Sequence, residues 1–90
     1  MVLLVSYDLN DHERPGSYTR IAQLIEAKAI DFRRPLYSQW FVETNESPQA
    51  WSDALTPALD DDDHLFVCRV QQPYQGWLAK TVWDWLNPRI

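Results

Sequence analysis

The opening run Val2-Leu3-Leu4-Val5-Ser6-Tyr7-Asp8-Leu9 constrains the fold more than any other segment. Its first four residues are aliphatic on both sides of an extended chain. A strand of that kind is buried on both faces, so it belongs inside a sheet with material packed above and below. It is also much shorter than the roughly 20 apolar residues of a membrane-spanning helix. The chain has 90 residues, of which 46% are hydrophobic, and this suffices for one small domain with an aromatic core.

The remaining segments follow as alternating helix and strand. Pro15-Gly16 breaks the chain, and Ser17 is a residue type that caps a helix through its hydroxyl. Tyr18, Ile21, Leu24 and Ile25 recur at helical spacing and predict a helix over about 18–29. A short edge strand is expected over 30–33, a turn at Arg34-Pro35, and a long strand over 36–44. In that strand Ser38, Trp40, Val42 and Thr44 share one face. Ser47-Pro48 is a helix start, with Ser as N-cap and Pro at the first helical position. Trp51, Ala54, Leu55, Ala58 and Leu59 form the apolar stripe behind it, and Pro57 tightens its last turn. Four acids, Asp60-Asp61-Asp62-Asp63, close the helix. A strand over 65–70, a loop over 71–76 and a helix over 77–86, ended by Pro88, complete the chain.

The order β-α-β-β-α-β plus a helical tail predicts an α+β fold of the ferredoxin-like type, with a core over about 1–70 and a Trp-rich tail over 71–90. Right-handed crossovers put both helices on one sheet face. The other face is too apolar to stand in water. It predicts a homodimer, with the tail covering part of that face in its own subunit or in the partner.

Composition narrows the function. Eight basic residues against 13 acidic ones leave a net charge of −5, which argues against coating nucleic acid non-specifically. Cys68 is the sole cysteine, so an internal disulfide and an all-cysteine zinc site are both excluded. A reducing, cytoplasmic setting with no membrane partner is expected, and no signal peptide is evident at the start.

Tyr7-Asp8-Leu9 at the end of a first strand, and later Arg34-x-x-Tyr37-Ser38-x-Trp40 entering another, resemble the small CRISPR-associated protein two superfamily. That superfamily includes VapD-type toxins and SinR-annotated small proteins. The opening Ser6-Tyr7-Asp8-Leu9-Asn10 is most similar to the SinR-annotated branch, and the likeness spans roughly residues 1–70. The resemblance implies a ferredoxin-like homodimer. In it the first-strand Asp of both subunits, here Asp8, faces a shared cleft and holds a divalent metal, Mg²⁺ or Mn²⁺, for phosphodiester cleavage. Other members of the superfamily hold DNA without cutting it. The Trp-rich tail and the acidic balance depart from the family pattern.

Asp8 is therefore the candidate catalytic and metal-binding residue, against the plainer reading of an Asp bonding loop amides at a strand end. The predicted topology gathers Asp8, Asn10, Asp11 and the Asp60–Asp63 run at one pole. It adds Arg14, Arg20, Arg33 and Arg34 there as candidate nucleic-acid contacts, with His12 and His64 nearby. An acidic solvated turn beside surface salt-bridging arginines is the alternative. Trp77, Trp83 and Trp85 are candidates for base stacking or for core. Two functions follow. One is a metal-dependent endonuclease or nucleic-acid-binding factor. The other is a catalytically silent interaction or regulatory protein, host- or phage-encoded, that keeps the dimer and binds another protein.

Overall fold

The structure is a computed structural model describing residues 1–10 and 16–90. Strand β1 runs Val2–Asp8, helix α1 Ser17–Lys28, β2 Asp31–Leu36 and β3 Gln39–Glu43. Helix α2 runs Pro48–Leu55 and continues as a 3-10 turn over Thr56–Ala58, the tightening expected of Pro57. Strand β4 spans His64–Arg69, and the tail ends in helix α3, Lys80–Leu86, with a 3-10 turn over Asn87–Arg89. The four strands form one antiparallel sheet in the order β2-β3-β1-β4, so β1 is internal, as its two-sided apolar character requires.

One face of the sheet carries the main core. Leu3, Val5 and Tyr7 of β1 and Trp40 and Val42 of β3 pack against Ile21 and Ile25 of α1 and Trp51 and Leu55 of α2. Two indole N–H groups are buried there, and each has a partner. Trp40 Nε1 donates to Tyr7 Oη at 2.8 Å and Trp51 Nε1 donates to Thr44 Oγ1 at 3.0 Å. Ser47 caps α2 by accepting from Ala50 N at 3.1 Å, with Pro48 at the first turn, as the sequence predicts.

The tail covers part of the other face, and it does so within the same chain. Val2, Trp85 and Leu86 make a second cluster with Phe41, Val70, Tyr74 and Trp83 around it. Trp85 is the pin. Its Nε1 donates to Asp31 Oδ2 at 2.9 Å, and its ring lies 4.4 Å from the Arg89 guanidinium and 5.4 Å from that of Arg33. Arg89 Nε in turn donates to Glu43 Oε1 at 2.8 Å. These bonds tie the tail to the β2 and β3 edge.

Acid should loosen this clasp. The hydrogen bond from Trp85, then the one from Phe32 N, holds the Asp31 carboxyl below the ordinary 3.8. A carboxylate with a lowered folded pKa stabilises above the unfolded value, and that contribution disappears as pH falls through the folded one. Stability should therefore drop as pH falls below about 4. Asp31→Asn should flatten that drop in urea midpoints measured from about pH 5 to pH 2. An unchanged acid limb in the variant would show that Asp31 plays no part.

Three local expectations are corrected. The Arg34-Pro35 turn does not exist: both residues lie in β2, and the chain turns at Tyr37-Ser38. Proline is tolerated there because β2 is an edge strand, and a register shift between Arg33 and Leu36 absorbs the missing donor. Ser17 is not the cap of α1. Gly16 is, at φ 88°, a left-handed conformation that glycine adopts without steric cost. The last helix starts at Lys80, three residues after the expected start, and Trp77 stands outside it, fully exposed.

Candidate functional site

Cross-strand register shows what the tail leaves open. Phe66, Ser6, Gln39 and Leu36 lie opposite one another in succession across the four strands, on the face away from α1 and α2. Phe66 is 64% and Leu36 50% exposed, and Gln39 Nε2 donates to Ser6 Oγ between them at 3.3 Å. Asp8 and His64 form the next pair along β1 and β4. Both are exposed, and they rim a hollow of about 200 Å³ with Ser6 and Phe66. Strand alternation explains why Asp8 is there. It follows Val2, Leu4 and Ser6 onto this face, while Tyr7 turns into the core.

The acidic run does come to the same pole. Asp63 Oδ1 accepts from Asn10 N at 2.8 Å, which anchors the run to the end of β1. Two of its four carboxylates, those of Asp60 and Asp63, bond the backbone of the loop itself. Asp63 Oδ2 accepts from Asp60 N and Asp60 Oδ1 from Asp62 N, and Asp63 is only 9% exposed. Among the described residues no three His, Cys, Asp or Glu side chains come together as a metal-binding group. The plainer reading of the run as a self-bonded turn fits this geometry. Asp8 is an exposed carboxylate that joins no such metal-binding group among the described residues. A single carboxylate suits Mg²⁺, which keeps several waters and is usually held by one or two carboxylates together with substrate phosphates.

The candidate arginines separate. Arg33 is not at the pole: it lies opposite Phe41, donates to Phe32 O, and packs on Trp85 under the tail. Arg20 is exposed in the first turn of α1. Arg34 is at the pole, on the side of the sheet that α1 covers. Its guanidinium lies 4.7 Å from the Tyr37 ring and 4.8 Å from the Trp40 ring, and its Nε donates to Tyr37 O at 2.7 Å. Arg14, Asp11 and His12 lie outside the described residues.

A ladder of tyrosines beside Arg34 was not legible in the sequence. Ring centroids are 5.8 Å apart for Tyr7 and Tyr18 and 5.1 Å for Tyr18 and Tyr37. Burial pushes the Tyr7 phenol above its ordinary value, against the opposing pull of the Trp40 hydrogen bond. Tyr18 Oη accepts from Leu9 N at 3.2 Å, which fixes the chain leaving β1. The signal was present in Arg34-x-x-Tyr37, but placing the turn at Pro35 put Arg34 and Tyr37 on separate elements.

No protein-family model matches this chain, and no curated protein matches it. Among the described residues no helix is long and apolar enough to cross a membrane.

Proposed function

We propose that this chain is a cytoplasmic, ferredoxin-like homodimer that handles nucleic acid, with Asp8 holding a divalent metal for phosphodiester cleavage. The resemblance of Tyr7-Asp8-Leu9 and Arg34-x-x-Tyr37-Ser38-x-Trp40 to the CRISPR-associated protein two superfamily motivates the reading. The strand order β2-β3-β1-β4, with α1 and α2 packed on one face, supports the fold assignment. One observation carries the functional part. Asp8 is an exposed carboxylate on the part of the sheet face that the tail leaves open, beside an uncovered Phe66. Exposed Phe66 and Leu36, at the two ends of a row whose middle is Ser6 and Gln39, give a second copy or another partner apolar surface to cover. A two-fold across that face would bring a second Asp8 to it.

A bound Mg²⁺ or Mn²⁺ would supply an activated water and offset phosphate charge. The chain's own contribution is to hold that cation at the Asp8 carboxylate and to present the His64 imidazole at the rim of the same hollow. Phe66 and Leu36 would exclude water from the face around them.

The test sets wild type beside Asp8→Ala on single- and double-stranded RNA and DNA. Cleavage should require Mn²⁺ or Mg²⁺, vanish with EDTA, and fall at least a hundredfold in Asp8→Ala, while the circular dichroism melt stays within about 3 °C of wild type. Light scattering at micromolar concentration should give twice the monomer mass. A wild type that neither cuts nor binds any of the four would defeat the proposal.

The second reading, a silent interaction protein, has an observation of its own. The net charge is −5, and Lys28, Arg33, Lys80 and Arg89 are each already paired with a carboxylate. Failure on all four substrates by a protein that still dimerises would favour it.

A further inference from the structure

The tyrosine ladder ends at a hollow that Asp8 does not share. It measures about 340 Å³ and lies between α1 and the β2–β3 turn, lined by Tyr18, Thr19, Gln23, Glu26, Arg34 and Tyr37. That volume falls at the low end of ordinary small-ligand pockets, about 300–1,000 Å³. Asp8 lies on the other face of the sheet.

Three features of this hollow point to one ligand class. The first is Tyr37, 68% exposed on a tight turn although its ring is a large apolar surface. The second is Arg34. Among the described residues no carboxylate lies within ion-pair distance of it, as holds also for Arg20 and Arg69, whereas Lys28, Arg33, Lys80 and Arg89 all have one. Its Nε bond to Tyr37 O and its two aromatic neighbours fix the guanidinium plane, and this leaves the terminal nitrogens for an anion. Fixing the plane in advance lowers the ordering cost of binding phosphate. The third is the polar wall of Thr19, Gln23 and Glu26, which carries a hydroxyl, an amide and a carboxylate. Those groups match the edge of a base or the hydroxyls of a sugar.

We propose that this hollow binds one nucleotide of a single-stranded nucleic acid, with the base against Tyr37 and its phosphate on Arg34. The proposal rests on the nucleic-acid reading above and adds a metal-independent holding site to it. A duplex keeps its bases stacked internally and could not offer one to Tyr37, so single strands are the expected ligand.

The experiment uses fluorescein-labelled single-stranded oligonucleotides of DNA and RNA, with the matching duplexes, in EDTA so that no metal contributes. Fluorescence anisotropy of the full chain should show binding to single strands in preference to duplex. Tyr37→Ala should weaken it about tenfold, and Tyr37→Trp should restore it. Arg34→Gln should weaken it by a similar factor and lower the slope of log affinity against log salt by about one. Ile30→Ala, which removes an exposed apolar side chain just before β2, should bind as wild type does. Circular dichroism confirms that each variant is folded. If wild type binds single strands and Tyr37→Ala binds equally well, this site is wrong while the nucleic-acid reading stands. Wild type that binds no single strand overturns the site. If Tyr37→Ala weakens binding but wild type never cleaves with metal, the Asp8 chemistry fails and the holding site remains.

Discussion

Trp51→Ala is expected to destabilise the protein by about 3–5 kcal/mol, the usual cost of emptying a buried tryptophan site. Trp51 is 0% exposed and sits where α2 meets the β1–β3 face. Trp40, Leu3 and Ile25 of the same cluster are themselves fully buried, which limits how far the core can collapse into the space. Small domains have only about 5–15 kcal/mol in total, so much of the native stability would go. Trp51→Phe separates volume from polarity. It keeps most of the ring volume and loses the bond to Thr44 Oγ1, which still accepts from Glu46 N at 3.1 Å. No polar atom is orphaned, so the phenylalanine variant should lose only about 1–2 kcal/mol. Urea unfolding measures both. A loss below about 1 kcal/mol for the alanine variant would mean that α2 does not carry the core.

Trp85→Ala should cost a similar amount, about 3–5 kcal/mol, and should act on a different part of the molecule. The indole is 4% exposed and joins three things at once: the apolar contacts of Val2 and Leu86, the Asp31 carboxylate, and the Arg89 guanidinium. Its loss removes the pin between tail and sheet, while Trp40, Trp51 and the helices on the opposite face keep their contacts. Amide exchange should therefore accelerate most in α3 and in the edge residues Asp31 and Phe32. Those of α1 and α2 should stay the more protected, although the lower global stability sets a ceiling for them too. The newly bare Phe41 and Val2 should also promote association. Uniform acceleration throughout the chain would show that the tail and the sheet unfold as one unit, and the picture of a separable clasp would be wrong.

Much of the element order was legible because each signal was local. Val2–Val5 is apolar on both faces, so β1 had to be internal. Ser47-Pro48 fixed the start of α2 through one hydroxyl bond and one missing donor. The same locality misled at Pro35, which reads as a breaker in isolation. An edge strand with a register shift has no use for that donor, and whether a strand is at the edge depends on what pairs with it. Gly16 displaced Ser17 as the cap because the position entering α1 is left-handed, at φ 88°, a conformation glycine adopts without steric cost.

The candidate site divides in the same way. Period-two alternation placed Asp8 on a different face from Tyr7, and this much is sequence arithmetic. The Asp60–Asp63 run was correctly carried to the end of β1, because antiparallel pairing of β4 with β1 brings it there. The Asp60 and Asp63 carboxylates bond their own loop, and no composition argument reveals that. Arg33 and Arg34 are adjacent in the chain but reach opposite faces of the sheet, one under the tail and one against Tyr37. The sequence by itself determined an α+β chain with an internal first strand and two helices flanking a strand pair. Only the tertiary structure decided that the tail folds onto its own sheet and covers part of one face, and that Arg34 meets the tyrosine ladder. Those outcomes depend on which residues become neighbours across strands, at separations where periodicity along the chain carries no information.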